Sequence, residues 1–128
     1  NEIIGVTAQN TGLSLVLALN YGARWEILNA VKQILSENNK LPVDINSINE
    51  TFFEQYLNTK GIPDPDLLIR TSGEYRISNF LIWQIAYTEL YFTDVLWPDF
   101  RKENLLQAII DYQYRERRFG KISEQVKK

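Results

Sequence analysis

Two arginines, a glutamate and several hydroxyl side chains follow a short apolar run in the stretch DLLIRTSGEYRISNF, residues 66–80. Arg70 ends the apolar run, Arg76 comes six residues later, and Ser78 begins a further apolar segment. A guanidinium presents its N–H donors in a fixed fork that matches two phosphate oxygens, and charge-assisted hydrogen bonds are the stronger class. Because ligands of open α/β sheets bind outside the carboxyl ends of strands, the stretch indicates an anion site suited to a diphosphate.

Two ordinary explanations of these residues stay open. Arg70 next to Glu74 can form a surface ion pair, which is worth at most about 1 kcal/mol. Ser78 can be the N-cap of a helix, although a cap and a phosphate ligand use the same exposed helix end and are compatible. The spacing therefore permits an anion site without requiring one.

Glu89 is the second residue whose surroundings suggest chemistry. It lies in WQIAYTELYF, residues 83–92, among aromatic and aliphatic side chains. An ionised carboxylate in such surroundings is costly unless something compensates its charge. A magnesium ion bound to a substrate diphosphate would do so, and so would a neighbouring arginine. Both interpretations stay open.

The composition excludes several other kinds of chemistry. The chain has 128 residues, 45% of them hydrophobic, and contains neither cysteine nor histidine. Ser-His and Cys-His catalysis and the common zinc sites are thereby excluded, which leaves carboxylates, arginines, lysines, hydroxyls and a bound metal. The net charge of −2 gives no general attraction to nucleic acid. No apolar run approaches the roughly 20 residues that span a bilayer, so we expect a soluble, cytoplasmic protein.

The hydrophobic pattern alternates between strands and helices. Three short apolar runs have the length of strands: residues 13–21, 66–71 and 89–95. Four segments have helical spacing or composition, and two of them are residues 24–35 and 78–86. A further helix is capped by Asn46 or Ser47 and carries Phe52, Phe53, Tyr56 and Leu57. The last helix follows Asp99 as its N-cap, and one of its faces carries Leu105, Leu106, Ile109, Ile110 and Tyr114. This order predicts an α/β fold with a mostly parallel sheet flanked by helices, formed by residues 1–120 and followed by a polar tail at 121–128.

The same residues carry a family resemblance. RTSGEYRISNFLIWQIAYTELYFTDVLWPDF at 70–100 resembles the C-terminal signature of the cis-prenyltransferases, specifically of the bacterial undecaprenyl diphosphate synthase branch. NTGLSLVLALNYGARWEI at 10–27 is similar to an earlier block of that family, and RERRFG at 115–120 to its closing motif. A contiguous match over some thirty residues is far more specific than a short pattern.

The resemblance implies a magnesium-dependent enzyme that condenses isopentenyl diphosphate onto farnesyl diphosphate and makes undecaprenyl diphosphate, the lipid carrier for cell-wall glycans. It also implies a homodimer without nucleic acid, which contacts the membrane peripherally through its lipid product. The resemblance assigns roles to seven residues. Arg70, Arg76, Ser78 and the backbone of Ile77 would bind the diphosphate of isopentenyl diphosphate, and Glu74 would belong to the supporting loop. Leu13 would line the hydrophobic tunnel, and Glu89 would be a ligand of Mg²⁺.

Some features depart from the family pattern. Tyr75 stands where His or Gln is usual, while Ala23 and Lys121 each replace a common glycine. The Asp-Gly-Asn-Gly-Arg motif of the family's N-terminal half, which holds the catalytic aspartate, has no match in these residues. We therefore expect this chain to be the C-terminal part of the domain, to supply the isopentenyl diphosphate site and to be inactive alone.

Two other functions compete with this one. The first is a noncatalytic partner subunit of a heteromeric cis-prenyltransferase, although Arg70, Arg76, Ser78 and Glu89 are all retained. The second is nucleic-acid binding through Trp83, Trp97 and the basic tail. It is disfavoured because the tryptophans lie in apolar segments and the tail is short and mixed in sign.

Overall fold

The computed structural model describes residues 2–38 and 43–116. The chain forms four helices and two strands in this part: α1 (Glu2–Thr7), α2 (Ala23–Asn38), α3 (Glu50–Glu54), β1 (Leu67–Arg70), β2 (Glu89–Phe92) and α4 (Lys102–Gln113). Short 3₁₀ turns lie at Ile45–Ser47 and Trp97–Asp99. The end of the RERRFG motif and the predicted polar tail lie outside the described residues.

The two strands run parallel, as the sequence predicts, and helices accompany them, so the α/β fold class is confirmed. Leu67 pairs with Glu89 at one end of the ladder and Arg70 with Phe92 at the other. The predicted strands at 66–71 and 89–95 are both present but shorter. Because the strands are parallel, Arg70 lies at their carboxyl end and Glu89 at their amino end, about 10 Å apart along the sheet.

The predicted strand at residues 13–21 is wrong for the described structure. The segment contains no regular secondary structure, and its side chains are exposed up to Asn20. Leu13, the predicted tunnel residue, is 94% exposed. A strand requires a neighbour that pairs with its N–H and C=O groups, and among the described residues only β1 and β2 pair. The apolar run therefore forms no strand in the described structure.

The predicted helix at residues 78–86 is also wrong, because this segment forms a series of turns. Ser78, Asn79 and Leu81 have positive φ angles of 48°, 61° and 47°, which a right-handed helix excludes. A tertiary contact explains part of this conformation. The backbone oxygen of Asn79 accepts from the Ala23 N–H (2.9 Å) and its side-chain oxygen from the Arg24 N–H (3.0 Å), so Asn79 caps the start of α2.

The helix boundaries differ from the predicted ones at their caps. The helix predicted at 24–35 is confirmed as α2. Asn49, rather than Asn46 or Ser47, caps α3, since its side chain accepts from the Phe52 N–H at 2.9 Å. Asp99 lies in a 3₁₀ turn and does not cap α4. That helix begins after Arg101, whose N–H donates to Asn104 Oδ1 at 2.8 Å.

The described residues bury a small core and leave much apolar surface uncovered. The buried hydrophobic residues are Ala23, Ala30, Ile34, Leu57 and Ala108. Most of the predicted apolar faces of α2 and α4 stay at least a third exposed, as at Leu28 (61%) and Leu106 (46%). None of the helices within the described ranges has the length and apolar character that crossing a bilayer would need.

Candidate functional site

A cleft of about 1120 Å³ opens beside the carboxyl end of β1. Arg70, Glu74, Arg76 and Ile77, four of the residues that the resemblance assigns, line it together. The walls also contain aliphatic and aromatic side chains, including Phe80. The cleft therefore combines hydrogen-bond donors with an apolar lining, which a ligand with an anionic head group and a hydrocarbon tail requires.

Glu74 joins the two arginines. One carboxylate oxygen contacts Arg70 Nη2, and the other lies 2.5 Å from Arg76 Nη2. The hydrogen bond from Arg70, reinforced by the charges of Arg76 and Arg70, holds the pKa of Glu74 below its ordinary value. The Arg70–Glu74 ion pair, which the sequence left as an open interpretation, is thus present. It uses one terminal nitrogen of each guanidinium, so each arginine keeps further N–H donors for an anion.

A tight turn after β1 positions Glu74. The Ser72 N–H donates to the Val95 carbonyl and the Gly73 N–H to the Thr93 carbonyl, both at 2.9 Å. Gly73 has a φ of 63°, and a Cβ at this position would lie 3.0 Å from Asp94 Oδ1. The positive φ favours glycine here, and a larger residue would also require the Asp94 side chain to shift. The turn is thereby fixed to the end of β2.

Ser78 lies apart from this arrangement. Ile77 lines the cleft, and its carbonyl accepts from the Phe80 N–H at 3.0 Å. Ser78 follows directly but is exposed and is not among the lining residues. No helix begins at Ser78, so its interpretation as an N-cap is wrong. Its role as a diphosphate ligand stays a prediction that this geometry does not support.

Glu89 is compensated by an arginine. Arg115 Nη1 lies 3.1 Å from Glu89 Oε2 and 2.8 Å from the Leu90 carbonyl, while Arg115 Nη2 contacts Asp111 at 2.6 Å. The hydrogen bond with Glu89 is the largest cause that raises the pKa of Arg115. Of the two interpretations that the sequence left open, the neighbouring arginine is the one that the structure shows.

The donor set around Glu89 does not by itself form a magnesium site. Its carboxylate is engaged by Arg115 and lies at the amino end of β2, whereas Arg70 lies at the carboxyl end of β1. Within residues 2–38 and 43–116, no group of three or more Asp, Glu, His or Cys side chains is placed to hold a metal ion.

A buried polar network surrounds Glu26, which the sequence pattern did not single out. Only 2% of Glu26 is exposed, and its carboxylate accepts from Tyr21 Oη (2.5 Å), Gln84 Nε2 (3.2 Å) and the Asn58 N–H (2.8 Å). Burial, followed by the hydrogen bond with Glu26, raises the pKa of Tyr21. The signal was present in the helical spacing, because Glu26 lies between Ala23 and Ala30 on the buried face of α2.

Part of the cleft lining comes from residues 97–102, which were not predicted as site residues. Trp97, Phe100, Arg101 and Lys102 all line the cleft. The rings of Trp97 and Phe100 stack at 6.3 Å with 13° between their planes. Two consecutive cations at the start of a helix were the available signal, because the helix dipole disfavours positive charge there.

The structure combines a parallel α/β sheet, two arginines at a strand end and a partly apolar cleft beside them. Proteins with this arrangement form a class suited to binding amphiphilic phosphate compounds. The family model described as "Putative undecaprenyl diphosphate synthase" matches residues 1–120. The chain therefore belongs to the undecaprenyl diphosphate synthase family of prenyltransferases, as its sequence motifs predict.

Individual relatives agree with this assignment. The isoprenyl transferase of Chlorobaculum tepidum is 50% identical over 127 residues, covering 99% of this chain and 48% of that protein. The isoprenyl transferase of Porphyromonas gingivalis is 56% identical over 120 residues, covering 94% of this chain and 47% of that protein. The chain thus spans about half the length of the curated relatives it matches.

Solved structures show the same similarity. Lavandulyl diphosphate synthase from Lavandula x intermedia, crystallised with dimethylallyl diphosphate, matches with a TM-score of 0.87 and 42% identity over 91% of this chain and 50% of that one. A probable undecaprenyl diphosphate synthase from Campylobacter jejuni matches with a TM-score of 0.76 and 36% identity over 94% of this chain and 53% of that one. The described fold is therefore that of half of a cis-prenyltransferase chain.

Proposed function

We propose that this chain supplies the isopentenyl diphosphate site of an enzyme for cis-prenyl chain elongation. The enzyme condenses isopentenyl diphosphate onto farnesyl diphosphate and forms undecaprenyl diphosphate, the lipid carrier for cell-wall glycans. Relatives named isoprenyl transferase support the reaction class. The observation that carries the site is the pair of guanidiniums, Arg70 and Arg76, which Glu74 holds side by side in a partly apolar cleft.

The arginines would bind and orient the diphosphate. Their remaining N–H donors match its oxygens, and two guanidiniums outweigh the single negative charge of Glu74. The lining residues Ile77 and Phe80 offer apolar surface to the five-carbon unit. Fixing the alkene at a set distance from the second substrate supplies the orientational part of the rate enhancement, and this chemistry needs no covalent nucleophile.

Magnesium belongs to the proposal as the cation of the reaction, because diphosphate oxygens are strong ligands for it. Glu89 is the ligand that the resemblance assigns. In the described structure it would have to leave Arg115 and approach the other end of the sheet, so its assignment rests on the resemblance alone.

The substitution Glu89→Gln tests this assignment. The experiment uses the polypeptide that the natural gene encodes. If Glu89 binds magnesium, the Glu89→Gln variant should need a higher magnesium concentration than the wild type for half-maximal activity. Arg115→Gln is the matched control, because it breaks the same ion pair and keeps the carboxylate. Both changes should lower thermal stability, since both remove a half-buried pair. Superimposable magnesium titrations of the Glu89→Gln variant and the wild type would exclude Glu89 from the metal site.

The proposal includes inactivity of the 128-residue chain alone. We expect the chain to bind isopentenyl diphosphate in a calorimetric titration and to release no product when farnesyl diphosphate is added, because the catalytic aspartate motif is not among its residues. Turnover by the isolated chain would refute the inactivity. Absence of isopentenyl diphosphate binding, in a chain that circular dichroism shows to be folded, would refute the site.

The residues encoded upstream of Asn1 separate the two remaining roles. An Asp-Gly-Asn-Gly-Arg motif there would support the catalytic assignment, and an unrelated sequence would support a noncatalytic subunit of a heteromeric enzyme. Family membership further supports a cytoplasmic homodimer that contacts the membrane through its lipid product. Equilibrium sedimentation of the natural polypeptide measures the dimer.

A further inference from the structure

Two cationic side chains at the start of α4 line the same cleft as Arg70 and Arg76, and the function proposed above gives them no role. Arg101 is the N-cap residue of α4, Lys102 is its first residue, and both are exposed. The cleft lining contains these four cations against one carboxylate, Glu74. It therefore has a formal charge of +3, in a chain whose formal net charge is −2. Such a local excess attracts a polyanion.

The two groups of cations are structurally connected. The turn after β1 that leads to Glu74 and Arg76 donates two backbone hydrogen bonds, each 2.9 Å long, to the carbonyls of Thr93 and Val95. From Val95 the chain passes through the 3₁₀ turn at Trp97–Asp99 directly to Arg101. The start of α4 is thus connected through a short, hydrogen-bonded segment to residues 70–76, the arginine turn.

The side chains of Arg101 and Lys102 differ in the hydrogen bonds that they already make within the protein. The Arg101 guanidinium donates to the carbonyl oxygens of Pro98 and Phe100, so it stabilises its own turn. Lys102 Nζ makes no hydrogen bond or ion pair with any other residue of the described ranges. Lys102 also lies at the amino end of a 12-residue helix, where the dipole disfavours a cation. Local stability therefore does not explain a lysine at this position, whereas an anion in the cleft would.

We propose that Lys102 is a substrate-binding residue, whose ammonium group helps to bind the head group of the same amphiphilic diphosphate that Arg70 and Arg76 hold. The stacked rings of Trp97 and Phe100 line the same cleft and offer apolar surface for the tail. The inference rests on the proposed function, because it takes a diphosphate as the ligand. It adds a residue that is outside the arginine turn in sequence.

Calorimetric titration of the natural polypeptide with inorganic pyrophosphate and with isopentenyl diphosphate tests this role. We expect Lys102→Ala to weaken both affinities about fivefold to tenfold. This loss is smaller than the one expected for an arginine of the site, because an exposed ammonium is a strongly hydrated point charge without the planar fork that binds two oxygens. Lys32→Ala, which removes an exposed cation from α2 outside the cleft lining, is the control and should change them less than about twofold. Without ligand, Lys102→Ala should keep or raise the melting temperature, because it removes a charge that the helix dipole disfavours.

The outcomes separate this inference from the function on which it rests. Weaker binding in Arg76→Ala with wild-type binding in Lys102→Ala would overturn the role of Lys102 and leave the proposed function standing. Equal losses in the Lys32 and Lys102 variants would show a general charge effect and overturn it too. A clear fall in melting temperature in Lys102→Ala would show a structural role instead. Wild-type protein that binds neither ligand would refute both proposals.

Discussion

Replacing Arg76 with alanine should weaken isopentenyl diphosphate binding by about 10- to 100-fold while changing farnesyl diphosphate binding less than about threefold. A hydrogen bond to a charged group contributes about 1.5–3 kcal/mol, which corresponds to this range of affinity. Arg76 is 64% exposed, and within the described ranges its ion-pair partner is Glu74, so its removal should leave the fold intact. Titration of the natural polypeptide with each substrate separately measures the two affinities.

Arg76→Lys is the matched control for this experiment. Lysine keeps the positive charge but lacks the planar fork that binds two oxygens at once, so we expect an intermediate loss. Equal losses of affinity for both diphosphates in Arg76→Ala would contradict a site dedicated to isopentenyl diphosphate. Equal losses would indicate that Arg76 contributes to an electrostatic potential that attracts both substrates.

Replacing Glu26 with alanine should lower the free energy of unfolding by roughly 3 kcal/mol or more. The side chain is buried and is the acceptor for Tyr21, for Gln84 and for the Asn58 N–H. Removing it leaves several buried or half-buried donors without that acceptor, and each such loss costs about 1–3 kcal/mol. Urea denaturation of the natural polypeptide, followed by circular dichroism, measures the change.

Glu37→Ala provides the comparison on the same helix. Glu37 also accepts from a tyrosine hydroxyl, that of Tyr56 at 2.8 Å, but this contact is exposed to solvent. We expect its removal to cost less than about 1 kcal/mol. Similar small losses in both variants would show that the Glu26 network adds little to stability.

The arginine turn is the part of the site that follows most directly from the sequence. Arg70, Glu74 and Arg76 lie within seven residues, and Gly73 permits the tight turn that returns Glu74 to the two guanidiniums. Contacts over so short a separation depend on local backbone geometry. The structure shows the ion pair that this stretch predicts, and the anion site remains a proposal made from the same residues.

Local patterns likewise determined α2, the two strands and their parallel arrangement. The apolar spacing from Arg24 to Leu35 predicts α2, and the apolar runs before Arg70 and after Glu89 predict β1 and β2. Helical periodicity and strand hydrophobicity act over a few residues, so they can be recognised without knowing what the element packs against. Similar local patterns at residues 13–21 and 78–86 predicted a strand and a helix that the structure does not contain.

Tertiary structure decided the remaining features, because they depend on partners distant in sequence. Asn79 caps a helix 55 residues earlier in the chain, and Glu26 meets Gln84 across 58 residues. Glu89 is compensated by Arg115, 26 residues later, so its apolar surroundings alone could not distinguish an ion pair from a metal site. Residues 13–21 have the composition of a strand, but a strand exists only where a neighbour accepts its hydrogen bonds. Local sequence specifies what a segment can form, and pairing across the fold determines which of those possibilities occurs.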